Sequence, residues 1–327
     1  MRVLFDARIY SSLFVIAFAV WMFSAATYAD ADSRLPSYKK VSGVSGNINS
    51  IGSDSMNNLM ALWCEGFTRY YPSVRCQIEG KGSSTAPPAL IEATAQIGPM
   101  SRAMKGTEID KFEAKFGYKP TRIRTALDAL AVFVNKDNPI EGLTIAQMDA
   151  IYSKTRKCGG SRNIVTWGQA GLDGGWTKRP ISIYGRNSAS GTYGYVKKVA
   201  LCKGDFKDEV KEQPGSGSVV QSVSGDLYGI GYSGIGYMTS GVRSLPLAKR
   251  SGAPFVEASA RNVLNGTYPL GRFLYIYINK PPSENLSPLV REFVKYILSR
   301  EGQVTVLKDG YNVLPASIVE KELTKLN

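Results

Sequence analysis

Three times along this chain an apolar β-type run stops at a short loop of serine, glycine and threonine, and a helical pattern begins directly behind it. The first instance runs from Gly46-Asn47-Ile48-Asn49-Ser50-Ile51 into Gly52-Ser53-Asp54-Ser55-Met56. The second follows the alternation of Val74, Cys76 and Ile78 into Gly80-Lys81-Gly82-Ser83-Ser84-Thr85. The third follows Pro180-Ile181-Ser182-Ile183-Tyr184 into Gly185-Arg186-Asn187-Ser188-Ala189-Ser190-Gly191-Thr192. Strands that alternate with helices pack as α/β layers. Such loops also concentrate one chemistry. The first amides of a helix lack intrahelical partners, and the helix dipole is positive there. Serine and threonine hydroxyls add donors, and Arg186 adds a planar fork of N–H groups. This is an anion cradle in outline. Ser and Thr are equally ordinary helix caps, so the octapeptide 185–192 alone also fits a plain N-capped helix.

The remaining segments extend the α/β pattern. Behind the first loop, Met56, Leu59, Met60, Trp63 and Phe67 form one apolar helical stripe, read as core. Pro87 and Pro88 sit where a helix start tolerates proline. Residues 95–102 read as a short buried strand ending in a polar turn, and Thr107-Glu108-Ile109-Asp110 as a capping box. Residues 124–135 form a long apolar strand with one interior acid, Asp128, which needs either a polar cleft or a charged partner. Thr144 caps a further helix, and 156–180 is a loop-rich excursion. Residues 213–218 make another turn into a helix, and 229–232 a glycine-rich strand. Residues 271–279 form the second long apolar strand, and Ser287-Pro288 opens a late helix.

Composition narrows the function classes. The chain of 327 residues is long enough for two cored domains. Its formal charge of +13 suits an anionic partner, but the Lys and Arg residues are scattered, which disfavours nucleic acid. There are 0 histidines, which removes Ser-His-Asp and Cys-His catalysis and His-containing zinc sites. The Gly80–Thr85 loop lacks the Gly-Lys-Ser/Thr ending of a nucleotide loop. No cofactor and no metal are expected.

Residues 1–29 have the layout of a secretory signal peptide: Arg2 and Arg8, an apolar run from Leu13 to Phe23, then Ala25, Ala26 and Ala29. Cleavage is expected after Ala29 or Ala31, giving an exported, periplasmic protein. Export makes the 4 cysteines candidates for disulfides, with three connectivities open. Cys64–Cys76 with Cys158–Cys202 is favoured, because each pair then closes a loop within one stretch of chain.

Arg186, three residues, then Ser190-Gly191-Thr192 before a helix resembles the phosphate-contacting loop of periplasmic phosphate-binding proteins, the receptors of bacterial phosphate ABC transporters. The likeness runs from about Asn47 to Pro315. It takes in Gly52–Met56, Gly82-Ser83-Ser84, Ile97–Arg102, Asn135, Trp167 and Gly229–Tyr232. It implies a type II binding-protein fold, two α/β lobes joined by two crossing strands. Lobe I is then 42–127 with 272–327, and lobe II is 128–271. The resemblance implies a phosphate site of Ser55, Met56, Ser83, Ser84, Ser101, Arg186, Ser190, Gly191 and Thr192. Well-known members carry an aspartate after the serine that ends the fourth strand; here Arg102 follows Ser101. Asp128 is therefore the expected acceptor for the phosphate proton, the alternative being that it pairs with an arginine. The resemblance further implies a monomer that is no enzyme and that hands inorganic phosphate to an inner-membrane ABC permease. The alternatives are a receptor for sulfate or molybdate, or a secreted phosphatase acting through a serine.

Overall fold

The computed structural model describes residues 33–327, so the expected signal peptide lies outside the described residues. The strands in chain order are β1 (Gly46–Ile51), β2 (Val74–Glu79), β3 (Gly98–Met100), β4 (Thr121–Asn135), β5 (Leu143–Thr144), β6 (Ser182–Arg186), β7 (Lys211–Gln213), β8 (Gly229–Gly234), β9 (Val242–Ser244), β10 (Leu247–Ala248) and β11 (Gly271–Ile278). The helices are α1 (Asn57–Tyr70), α2 (Ala86–Ile91), α3 (Gly106–Phe116), α4 (Ile145–Tyr152), α5 (Trp167–Ala170), α6 (Gly191–Val199), α7 (Ser216–Ser224), α8 (Ala260–Leu264), α9 (Pro288–Leu298), α10 (Arg300–Lys308) and α11 (Ala316–Leu323).

The long apolar segment 121–135 forms the spine. Its first half pairs antiparallel with β11, Thr121 opposite Ile278 and Ala129 opposite Gly271. Its second half changes partners and lies between β8 and β9, so Phe133 faces Gly231 on one side and Ser244 on the other. The sheet order is β3-β11-β4-β8-β6-β7, while β1 and β2 form a separate parallel pair. β4 thus runs continuously from one hydrophobic core to another, and β11 leads out of the second core from Leu270, the residue before it, into the first. One core collects Ile48, Trp63, Phe67, Ile123, Leu127, Leu274 and Phe293. The other collects Leu130, Val132, Ile151, Trp167, Ile230 and Leu270. This is a two-lobed α/β fold with two crossing strands.

Local chemistry explains the helices that carry the loops. On α1, Leu59, Met60, Trp63 and Phe67 are all buried against the first core. Each such burial contributes about 1.5–3 kcal/mol. Trp63 also satisfies its indole N–H on the Gly302 carbonyl at 2.8 Å. Ser287 caps α9 by accepting from the Val290 amide, with Pro288 in the first turn. Thr144 and Gln147 exchange bonds at the start of α4, at 3.1 and 2.9 Å. Two disulfides brace the chain, Cys64–Cys76 between α1 and β2 and Cys158–Cys202 beyond α4, with Cα separations of 6.4 and 5.1 Å.

Three boundaries differ from the sequence expectations. The strand read over 95–102 is regular only at Gly98–Met100, and the excursion 156–180 contains the short helix α5. Helix α3 starts at Gly106, with Glu108 reaching back to the Lys105 amide at 2.8 Å. Thr107 therefore lies inside the helix instead of capping it. Among the described residues, no helix is long and apolar enough to cross a membrane.

Candidate anion-binding site

The three serine-rich loops, and a fourth at Gly215-Ser216, meet between the lobes. Ser55 lies in the 3-10 turn Asp54–Met56 that leads into α1. Its Oγ is 2.9 Å from Thr192 Oγ1 at the start of α6, and 3.3 Å from Ser216 Oγ at the start of α7. Ser83, in the turn before α2, accepts the Ser101 amide at 3.0 Å, and the two hydroxyls lie 3.3 Å apart. All of these hydroxyls are buried.

Backbone contact closes the lobes over them. The Ser84 amide donates to the Ala189 carbonyl at 3.1 Å. Gly191 packs so tightly on the opposite loops that a Cβ there would lie 2.2 Å from Ser83 Oγ and 2.6 Å from Ser101 Oγ. Real Cβ atoms do not approach so closely, so only glycine permits this approach.

The charges are arranged around this hydroxyl cluster. Arg186, at the end of β6 and buried, donates through Nη1 to Asp54 Oδ2 at 2.8 Å and to Ser216 Oγ at 2.8 Å. Its Nη2 donates to the Pro214 carbonyl at 3.1 Å, and its amide donates to the Tyr232 hydroxyl. Asp54 Oδ2 also accepts from the Ser216 amide and hydroxyl, each at 2.8 Å. Asp54 and Arg186 sit on opposite lobes, so this ion pair spans the cleft. Tyr237 donates to the Asp54 carbonyl at 3.0 Å; burial, then the charges of Asp54 and Asp309, push its hydroxyl upward. Tyr311 holds the Ser55 carbonyl at 2.7 Å.

Asp128 and Arg272 face each other across β4 and β11. Both are buried, and Asp128 Oδ2 lies 2.8 Å from Arg272 Nε and 2.7 Å from Nη2. Asp128 Oδ1 accepts the Ile235 amide at 3.2 Å. Arg272 Nη2 then reaches Thr192 Oγ1 at 3.1 Å. A continuous polar chain results: Asp54, Ser216, Ser55, Thr192, Arg272, Asp128. It begins and ends on a carboxylate. Nε of Arg186 and Nη1 of Arg272 are buried without a hydrogen-bond partner, two N–H donors in place for an anion.

Of the residues picked from sequence, Ser55, Ser83, Ser101, Arg186, Gly191 and Thr192 come together here. Ser190 lies at the same loop, but its Oγ accepts from the Thr192 and Tyr193 amides, at 3.1 and 3.3 Å, as the cap of α6. The Met56 amide closes the 3-10 turn on the Ser53 carbonyl at 3.2 Å. Ser84 sits to the side, where its Oγ accepts from Arg102. Asp128 lies behind the cluster and touches it only through Arg272. Asp54, Ser216 and Arg272 were not picked out. Asp54 and Ser216 carried a signal, since both lie in serine-rich turns that open helices. Arg272 carried none, because its role depends on strand register.

Arg102 occupies the position after Ser101 and is ion-paired. Its guanidinium grips Glu108 with two bonds of 2.7 Å. Burial pushes the Glu108 carboxyl up, but the Arg102 bonds and charge, with the Lys105 amide, outweigh this and hold it below the usual range.

Two α/β lobes on crossing strands, closed over a buried set of hydroxyls and an arginine, define a solute-binding protein of the binding-protein superfamily. A family model described as PBP superfamily domain matches residues 39–301. The phosphate-binding protein PstS of Pseudomonas aeruginosa is 58% identical over 303 residues, covering 93% of this chain and 94% of that protein. Protein SphX of Synechococcus elongatus is 26% identical, covering 82% and 78%. The crystal structure, with bound phosphate, of a proposed phosphate ABC transporter substrate-binding protein from Clostridium perfringens matches with a TM-score of 0.69 at 27% identity, covering 83% of this chain and 100% of that one. An ABC-type phosphate transport receptor from Vibrio cholerae shares the fold, with a TM-score of 0.63 at 22% identity, covering 82% and 100%. The chain belongs to the PstS family of phosphate-binding proteins.

Proposed function

We propose that this protein binds inorganic phosphate in the periplasm and delivers it to an ABC importer of the inner membrane. The relatives' names, phosphate-binding protein and phosphate transport receptor, support this reading. The observation that carries it here is the convergence of Ser55, Thr192, Ser216 and Arg186 from both lobes into one buried cluster. A tetrahedral oxyanion needs donors on every side when water is excluded, and hydroxyls, helix-start amides and a guanidinium supply them. Lobe I is 42–127 with 272–327 and lobe II is 128–271, so binding draws the two together about β4 and β11. Ser55, Met56, Ser83, Ser84, Ser101, Arg186, Ser190, Gly191 and Thr192 form the contact set, joined by Ser216.

Selection against sulfate is assigned to a carboxylate that accepts the proton phosphate keeps at neutral pH. Asp54 is better placed for this than Asp128. Its Oδ2 lies 2.8 Å from Ser216 Oγ, directly beside the hydroxyl cluster, whereas both Asp128 oxygens are held by Arg272 and the Ile235 amide. No catalysis is assigned. Ser190 spends its lone pairs on two backbone amides, and no histidine exists in the chain to activate Ser55.

Calorimetric titration of the mature protein with phosphate, arsenate, sulfate and molybdate tests the reading. Phosphate is expected to bind in the micromolar range or tighter. Tighter binding of sulfate or molybdate overturns it.

A further inference from the structure

A cavity of about 890 Å³ opens along α6 and the first residues of β11. Its lining contains Arg102, Lys105, Lys197, Lys198, Lys203 and Arg272, and no carboxylate, and it borders the phosphate contact set at Ser84 and Ser190. Three of these cations are already compensated: Arg102 by Glu108, Lys197 by Asp205 and Arg272 by Asp128. Lys105, Lys198 and Lys203 form no ion pair among the described residues, and all three are exposed at the rim. The wall behind them is aromatic, built from Tyr195, Phe273 and Tyr275, all half-buried. The Arg272 guanidinium lies over the Tyr195 ring at 5.3 Å from its centroid, and is thereby fixed at the inner end.

We propose that this cavity binds an aromatic phosphomonoester, of the nucleoside monophosphate class, separately from the inorganic anion. The charge balance calls for an anion, since six cations line the cavity and only three of them are ion-paired. An aromatic face offers nothing to a bare inorganic ion but stacks on a planar ring. The volume lies in the range of sites for ring-sized organic ligands. The hydroxyl cluster cannot take the same molecule. Its loops close until Gly191 touches Ser83 and Ser101, and an ester carbon on the fourth phosphate oxygen has no exit. The two anion sites therefore divide free from esterified phosphate by enclosure.

The test is calorimetric titration of adenosine 5′-monophosphate into protein already saturated with inorganic phosphate, with adenosine and further inorganic phosphate as parallel arms. The expected result is one saturable site for the monophosphate, with adenosine and inorganic phosphate each at least ~10-fold weaker there. Lys198→Ala combined with Lys203→Asn is expected to weaken the monophosphate at least ~10-fold and to leave inorganic phosphate affinity unchanged. Asparagine suits position 203, where φ is 63°. No binding to the saturated protein, displacement of phosphate by the monophosphate, equal binding by adenosine or inorganic phosphate, or an unaffected double variant each overturns the proposal. If inorganic phosphate fails to bind at all, the proposed function falls instead, and the monophosphate titration still reads out this cavity.

Discussion

Asp128 and Arg272 stand opposite each other in the register of the two crossing strands, and their side chains form an ion pair of 2.7 Å in a buried setting. Residue Arg272 is 5% exposed and Asp128 is 0% exposed. Removing one charge leaves the other without compensation in the middle of the lobe connection. Asp128→Asn is therefore expected to destabilise the protein by about 3–5 kcal/mol, read by urea denaturation. Asp128→Asn with Arg272→Gln recovers a large part of that loss. Because Asp128 reaches the hydroxyl cluster only through Arg272, its phosphate-over-sulfate preference is expected to survive in Asp128→Asn.

Asp54 is the contrasting case. Asp54→Asn keeps an oxygen for the Ser216 amide but removes the charge that faces Arg186 and the strong acceptor beside Ser216 Oγ. A hydrogen bond to a charged group is worth about 1.5–3 kcal/mol, so the phosphate-to-sulfate affinity ratio is expected to fall by about 10- to 100-fold. Competitive calorimetry with both anions measures this. A ratio left intact in Asp54→Asn and lost in Asp128→Asn would reverse the assignment.

The contrast shows where sequence reading reaches its limit. The loops that meet at the site were legible because each is short, serine-rich and ends a strand, and those features are local. The burial of Met56, Leu59, Met60, Trp63 and Phe67 followed from helical spacing for the same reason. The need of Asp128 for a polar environment was also legible, from one acid in an apolar strand. Its partner was not. Arg272 sits 144 residues away, and only the antiparallel register of β4 and β11 brings the two together. Asp54 was hidden differently. It lies inside a recognised loop, but nothing local distinguishes an acid that meets the opposite lobe from one that faces water. The assignment of Thr107 as a helix cap failed because Glu108 serves the Lys105 amide, three residues before it, while held by Arg102.

Gly191 is predicted to be intolerant of any side chain. The atoms that a Cβ would meet are Ser83 Oγ and Ser101 Oγ, at 2.2 and 2.6 Å, both on short buried side chains of the other lobe. Neither has a long flexible end that swings aside. Gly191→Ala is expected to hold the lobes apart, weakening phosphate binding by at least ~100-fold. Each lobe keeps its own core, so the circular dichroism spectrum is expected to be unchanged. Small-angle scattering in saturating phosphate checks the geometry: the wild type contracts and Gly191→Ala does not.

Asp309, at the end of α10, makes stability depend on pH. Burial pushes its carboxyl up to about 6, and the bond from the Asn58 side chain offsets this only in part. Tyr237 and Tyr311 face it with neutral hydroxyls, and among the described residues no lysine or arginine forms an ion pair with it. The folded value lies above the unfolded value of 3.8, so the folded state holds the proton more tightly. Stability from this group is complete below pH 3.8 and is lost as pH rises through about 6. Above that, the buried carboxylate carries a cost on the order of 1–3 kcal/mol. Asp309→Asn has no proton to lose and keeps an acceptor for Asn58. Its stability relative to the wild type is expected to be near zero or slightly negative at pH 4 and to become positive between pH 5 and 7, on the order of 1–3 kcal/mol at the upper end. Urea titrations at a series of pH values in constant salt measure the difference, and a difference that does not change with pH would show that Asp309 titrates alike in the folded and unfolded states.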